Sequence, residues 1–259
     1  MNRINKVFSE KKNDVLSIYY TAGFPALNDT VRIAQYLEQA GVDFIELGMP
    51  FSDPVADGPT VQASNKKALD NGMTTKLLLE QLKEIRKTVS MPIILMGYFN
   101  PVVQYGVEKF VHDAVAAGAD GVILPDLPFL EFEESYKELF AKAGLTNTFL
   151  ISPTTSEERI RKIDNASTGF VYAVSSSSTT GAKSGFTADQ ITYFDTLKKM
   201  KLKNPFLIGF GISDHATFSK ASEYAAGAII GSAFVNLLNA STDLKKDIID
   251  YVKSVKTGK

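Results

Sequence analysis

ELGMPFSDPVADGPT, Glu46 to Thr60, is the stretch on which the reading of this chain turns. Its first residues continue an apolar run that includes Val42, Phe44, Ile45 and Leu47, so Glu46 lies inside a β-strand pattern. A carboxylate embedded in a buried strand costs free energy unless something pairs with it or its proton affinity rises. Such a residue is usually kept for chemistry. The chain then leaves the strand through a loop in which Pro50, Pro54, Gly58 and Pro59 restrict the turn. That loop returns a second acid, Asp57, over the same strand end, with Asp53 between the two.

Outward from this segment, short β-branched or aromatic runs alternate with longer amphipathic stretches along the whole chain. The strand candidates are VLSIYY from Val15, FIELG from Phe44, PIILMG from Pro92 and GVILPD from Gly121, then NTFLI from Asn147, GFVYAV from Gly169, FLIGFG from Phe206 and GAIIGS from Gly227. All eight are near-continuous apolar runs, as expected of parallel strands covered on both faces. Between them lie helical patterns such as DTVRIAQYLEQAG, TTKLLLEQLKEIRKTV and EFEESYKELFAKAG, several opening on Asp or Ser and closing on Gly. Eight β/α units in 259 residues fit a TIM (β/α)8 barrel better than a doubly wound sheet. A Rossmann unit wants GxGxxG after its first strand, and YYTAGFP does not supply it. The expectation is one domain spanning residues 1–259, with an additional N-terminal helix, a helical insert from Pro59 to about Asn71 after strand two, and a last helix from about Thr242 to Val255.

A barrel carries its site at the carboxyl ends of its strands. Glu46 falls near the end of strand two, Asp57 in the loop that follows, and Tyr172 in strand six. Glu46 reads as a general acid/base; the competing reading is an ion pair, but the strand segments carry no basic residue. Asp57 before Gly58 is equally ordinary turn or capping chemistry. Glycines also mark the ends of strands seven and eight: FGI from Phe210 and GSA from Gly231 each lead into a helix start. Backbone N–H groups there can approach an anion, with Ser232 adding a hydroxyl, and these two loops bind phosphate in many barrels. Tyr19, Met96, Tyr98 and Phe210 stand at strand ends, where they line either an apolar pocket or the barrel core.

Other chemistries are poorly supplied. The chain has no Cys, and its two histidines, His112 and His215, are scattered, so a thiolate site is excluded and a His-rich metal site is not indicated. No lysine lies in a strand core, and Lys183 sits in the serine-rich loop, a poor place for an imine nucleophile. Lys+Arg 28 against Asp+Glu 29 gives no basic face for nucleic acid or an anionic membrane. MNRINKVFSEKKND lacks the apolar core of a signal peptide, and no segment has the ~20 apolar residues of a membrane span, so a cytoplasmic protein is expected. Cofactor-free acid/base chemistry on a phosphorylated small molecule is what remains.

On ELGMPFSDPVADGPT above all, with LMGYFNP from Leu95, PDLP from Pro125, GFGI from Gly209 and GSAFV from Gly231 in order, the chain resembles the tryptophan synthase α subunit family over essentially its whole length. The resemblance implies retro-aldol cleavage of indole-3-glycerol phosphate to indole and glyceraldehyde 3-phosphate. It implies that Glu46 handles protons at indole C3 and the glycerol hydroxyl, that Asp57 accepts the indole N–H proton, and that Tyr172 stands beside the glutamate. On it, Gly181, Gly211, Gly231 and Ser232 match phosphate-binding positions, and Tyr19, Met96 and Phe210 enclose the indole. Thr180 matches the residue that positions Asp57 on loop closure. Glu46, the more buried, is expected to have the raised pKa, and Asp57 to stay ionised as base.

The family passes indole to a PLP-containing β subunit in an αββα assembly, so the resemblance implies a protein partner and no cofactor in this chain. Segments 50–59 and 175–185 correspond to the family's mobile loops, the first also facing the β subunit. One departure stands out: SSSSTTG from Ser175 has Ser176 and Ser178 where many members have Arg and Gly. The rival readings are another phosphosugar isomerase or epimerase barrel, and an idle phosphate-binding barrel that activates a partner.

Overall fold

The structure, a computed structural model, describes residues 2–175 and 185–259. Its strands are β1 (Val15–Thr21), β2 (Phe44–Gly48), β3 (Ile93–Met96), β4 (Gly121–Ile123), β5 in two pieces (Thr146–Thr148 and Leu150–Ile151), β6 (Val171–Val174), β7 (Phe206–Gly209) and β8 (Gly227–Ile230). Every pairing is parallel. β1 lies between β2 and β8, and the sheet runs outward on either side to the two pieces of β5. Phe149 separates those pieces, yet its carbonyl accepts from the Tyr172 N–H at 3.0 Å. β5 is therefore one strand with a local break, and through it the eight-stranded barrel closes, as the alternation predicts.

The inner face of the barrel holds Val15, Phe44, Ile94, Ile123, Phe170, Tyr172, Leu207 and Ile229, while Leu16, Ile18 and Ile45 pack outward into the larger core shared with the helices. The first helix, α1 (Arg3–Glu10), is capped by the Asn2 side chain and turns Ile4 and Phe8 into the barrel. Phe8, Phe44 and Phe170 form a cluster with ring centroids 5.5–6.1 Å apart. Ile4 lies against Gly121 and Gly169, at the amino ends of β4 and β6. One end of the barrel is thus plugged, and the carboxyl end is left for a site.

Four more helices place that site: α2 (Asp29–Gln39), α3 (Pro59–Asp70), α4 (Thr75–Arg86) and α5 (Phe99–Tyr105). The helical insert after β2 is α3, with Pro59 in its first turn and Gly58 at its cap. The last helix runs Leu244–Thr257, two residues later than the pattern suggests, because Asp243 caps it.

EFEESYKELFAKAG does not form one regular helix. It is divided into Phe129–Glu131, a π-type turn over Phe132–Tyr136, and Lys137–Ala143. In a regular helix residues eight apart diverge by roughly 80°. The wider turn absorbs one residue and lets Phe132 and Phe140 meet at 5.6 Å, with Phe149 at 5.1 Å from Phe132. Core packing overrides the helical period here.

Candidate active site

Glu46 is the third residue of β2 and is fully buried. Its Oε1 accepts from Ser17 Oγ at 3.0 Å, and its Oε2 has no partner among the described residues. Among the described residues no cation compensates it. Burial pushes its pKa up to about 8, against a smaller downward pull from the Ser17 hydroxyl. At pH 7 the group is a neutral acid by about ten to one. A buried acid with one oxygen unpaired is poised to hand a proton to something that enters the barrel mouth.

Asp57 is held by the loop it terminates. Its N–H bonds the Pro54 carbonyl at 3.0 Å, and Gln62 on α3 donates to its carbonyl at 2.8 Å. Tyr98, just after β3, accepts from the Ala56 N–H at 3.0 Å and donates to Asp57 Oδ2 at 3.2 Å. The Tyr98 ring also packs on Phe51 at 5.3 Å, and Phe51 N–H donates to Asn65 of α3 at 3.3 Å. Burial raises the Asp57 pKa to about 6, more than the Tyr98 hydrogen bond lowers it. Asp57 is ionised at pH 7, but the fold-back of the loop under Tyr98 makes it a stronger base than its sequence context suggests.

Two tyrosines complete the mouth. Tyr19 sits directly across from Glu46 in the β1–β2 register, and Tyr172 lies between Leu150 and Leu207. Each lies over a glycine: a Cβ on Gly48 would come within 2.5 Å of the Tyr19 hydroxyl, and one on Gly209 within 2.2 Å of the Tyr172 hydroxyl. Only the absence of a side chain admits the rings. Burial first, then the nearby carboxylates, raises both phenol pKa values, so both remain protonated.

Phe210 stands edge-on to Tyr172 at 6.3 Å and Met96 is half-buried at the end of β3, both packed on the inner cluster. Phe210 adopts a left-handed backbone (φ +67°), and Ser175 Oγ donates to its carbonyl at 2.7 Å. A bulky residue in that region is strained and persists only when its surroundings hold it.

The glycines of the phosphate reading stand at the same end. Gly211 (φ +75°) is exposed beside Ser175. Gly231 caps the helix Ser232–Ala240, and a Cβ there would lie 4.0 Å from that of Tyr19. Ser232, the first helical residue, is exposed. The positions Thr180 and Gly181, with Ser176, Ser178 and Lys183, lie outside the described residues. The flank of that segment is tied down: Gln190 donates to the Ser175 carbonyl at 3.1 Å and forms a capping box with Thr187.

The histidines stand apart from the mouth. His112 is exposed on the helix Val107–Ala117, and His215 follows the cap Asp214 and bonds the Val255 carbonyl through Nδ1 at 2.8 Å. Among the described residues no cluster of His, Asp and Glu is arranged to hold a metal ion. A depression of about 510 Å³ at the opposite end is lined by Arg3, Lys83 and Arg86. Arg86 is committed there to the carbonyls of Gly118 and Met91 and to Asp120, so this is scaffold.

Sequence reasoning missed Ser17, the Glu46 partner, and the role of Tyr98. Ser17 was legible in principle, since it shares strand parity with Tyr19 and interrupts an apolar run. Tyr98 was not, because only the loop's path brings Asp57 to it.

A barrel mouth with two carboxylates of raised proton affinity, two buried phenols and glycine-led helix starts defines a (β/α)8-barrel enzyme of the acid/base kind. The sequence profile described as Tryptophan synthase alpha chain matches residues 5–258. A tryptophan synthase alpha chain of Flavobacterium psychrophilum is 60% identical over 238 residues, covering 92% of this chain and 94% of the relative. One of Christiangramia forsetii is 54% identical over 256 residues, covering 99% of each. The crystal structure of tryptophan synthase subunit alpha from Legionella pneumophila superposes with a TM-score of 0.89 at 35% identity, covering 99% of this chain and 97% of that one. The chain belongs to the tryptophan synthase alpha chain family.

Proposed function

We propose that the chain cleaves indole-3-glycerol phosphate to indole and glyceraldehyde 3-phosphate, with Glu46 and Asp57 dividing the proton transfers. The observation that carries this is the pairing at one mouth of a neutral, partly unpartnered Glu46 with an ionised Asp57 of raised proton affinity. Glu46 delivers its proton to indole C3 while Asp57 takes the proton from N1, giving the indolenine. The Glu46 carboxylate then accepts the proton of the adjacent side-chain hydroxyl. The C–O bond becomes the aldehyde carbonyl, and the C3–C3′ pair returns to the ring as N1 recovers its proton from Asp57. Both acids end as they began.

In this reading Tyr19, Met96 and Phe210 enclose the indole, and Tyr172 stays a neutral hydrogen-bonding group beside Glu46. Gly211, Gly231 and Ser232 offer N–H and hydroxyl donors to the phosphate, joined by Gly181, while Thr180 positions Asp57 as the loop closes. The chain acts as one barrel unit over residues 1–259. It brings no bound organic group to the reaction; the pyridoxal phosphate belongs to the partner.

The partner is a tryptophan synthase β subunit, in an αββα assembly that takes up the indole. Val55, Val103 and Leu130 are exposed large apolar side chains, at 87%, 47% and 65%, and stand on the segments that follow β2, β3 and β4. These segments stand at the site's own end of the barrel, where a partner receiving indole has to dock. A related structure is described as a tryptophan synthase complex from Pyrococcus furiosus, at TM-score 0.83 and 34% identity. Among the described residues no helix is long and apolar enough to cross a membrane, in keeping with work in the cytoplasm.

The test is indole release from indole-3-glycerol phosphate, with and without added β subunit. Release in both cases, faster with partner and lost in Glu46→Gln, supports the reading. A folded protein that binds the partner but releases no indole would be an idle scaffold.

A further inference from the structure

A hydrogen bond joins the segment LMGYFNP, from Leu95, to the segment PDLP, from Pro125: Asp126 Oδ1 accepts from the Phe99 N–H at 2.8 Å. Phe99 opens α5, and the residue at the cap position, Tyr98, makes no side-chain bond to the helix. Asp126, from the turn after β4, therefore caps α5 from outside, with a charge-assisted bond. That turn is built to present it. Pro125 and Asp126 occupy its centre, the Leu127 N–H closes it on the Leu124 carbonyl at 3.1 Å, and Leu124 and Leu127 are buried.

The bond brackets Tyr98. One residue before it, the Gly97 N–H donates to the Ile123 carbonyl at 3.1 Å, so the end of β4 grips the chain on either side of the tyrosine. The two neighbouring rings then part. Phe99 packs edge-on to Tyr136 at 5.5 Å, and Tyr98 lies against Phe51 at 5.3 Å. Tyr98 thereby reaches the loop after β2, where its oxygen accepts from the Ala56 N–H at 3.0 Å and donates to Asp57 Oδ2 at 3.2 Å. The second bond is longer than the usual O–H···O range of about 2.5–3.0 Å, so little displacement of the Tyr98 backbone is needed to lose it.

We propose that Asp126 is a positioning residue for Asp57: by holding the Phe99 N–H it fixes the backbone from which the Tyr98 phenol reaches the Asp57 carboxylate. The inference rests on the role given above to Asp57. Three phenols feel the Asp57 charge, Tyr98 after β3, Tyr19 of β1 and Tyr172 of β6, and Tyr98 also feels that of Asp126. Burial keeps all three protonated. With Glu46 of β2 at about 8, Asp57 at about 6 titrates ahead of these groups.

The experiment follows the Asp57 carboxyl by 13C NMR titration of the full chain, a readout that does not depend on turnover. Asp126→Ala removes the acceptor, so Tyr98 is released and stops donating to Asp57. The Asp57 midpoint is expected to rise by about half a pH unit or more. Asp126→Asn keeps an oxygen for the Phe99 N–H and should stay close to wild type. Loss of the Asp126 charge acting through space would instead move the midpoint down, and alike in both variants. Tyr98→Phe should raise the midpoint as Asp126→Ala does, and Asp126→Ala added to it should have no further effect. An unchanged or lowered midpoint in Asp126→Ala, or the same shift with and without the Tyr98 hydroxyl, would overturn the proposal. Indole release by the wild-type chain tests the cleavage separately. A midpoint shift without turnover would uphold Asp126 as the residue that positions Asp57 and reject the reaction.

Discussion

At the scale of single residues, the site depends on moving two carboxylates in the same direction by different amounts. Burial without a cation takes Glu46 to about 8, and partial burial under Tyr98 takes Asp57 to about 6. The reaction needs Glu46 protonated and Asp57 ionised. kcat/KM for indole-3-glycerol phosphate should therefore rise through an acidic limb near pH 6, peak near 7 and fall through a basic limb near 8. A pH–rate profile checks this, and Glu46→Gln should lower kcat by on the order of 10²–10⁴.

The same shift has a stability consequence. The folded pKa of Glu46 lies above its unfolded value of 4.5, so its contribution to stability is fully present below that value. It is lost progressively as pH rises from there through about 8, because the unfolded chain gives up the proton while the folded state still holds it. Glu46→Gln cannot ionise. Relative to wild type it should gain up to a few kcal/mol between pH 5 and pH 9, a difference that paired urea titrations at the two pH values would measure.

At the scale of elements, strand ends and the residues just past them do most of the positioning. β1 brings Ser17, Tyr19 and Thr21 to one face by strand alternation, and β2 brings Glu46 and the cradle glycine Gly48. The end of β6 holds the loop after β7: Ser175 donates to the carbonyl of the left-handed Phe210, next to Gly211. Ser175→Ala removes the bond that holds a strained residue over the substrate pocket. Stability should drop by about 1 kcal/mol, and KM for the substrate should rise more than kcat falls, since ground-state positioning is what is lost. Steady-state kinetics and a thermal melt would show both.

At the scale of the whole molecule, the barrel is asymmetric. α1 fills its amino end with Ile4 and Phe8, and Arg3 and Arg86 converge there on buried Asp120. The carboxyl end keeps the polar groups and an apolar rim. Leu130, 65% exposed on the segment after β4, touches none of the acid/base groups. Leu130→Asp should weaken association with the β subunit at least tenfold while leaving indole release by the isolated chain near wild type. Titration calorimetry with the β subunit, alongside the cleavage assay, would test the assignment of that face.

Much of this was legible in the chain itself. Eight apolar runs and intervening amphipathic periods determine a parallel barrel, because both patterns follow from local geometry and burial. Proline and glycine around Asp57 announce a loop that folds back over β2, and Glu46 stands out as a charge in an apolar run. What tertiary structure alone decided depends on neighbours remote in sequence. The raised pKa of Asp57 comes from burial that no local pattern encodes, partly offset by a hydrogen bond from Tyr98, 41 positions away. The π-type turn at Phe132–Tyr136 answers to Phe140 and Phe149 rather than to helix propensity. Periodicity is a property of the chain, whereas desolvation and hydrogen-bond direction belong to the packed interior, and they set the proton affinities on which the chemistry depends.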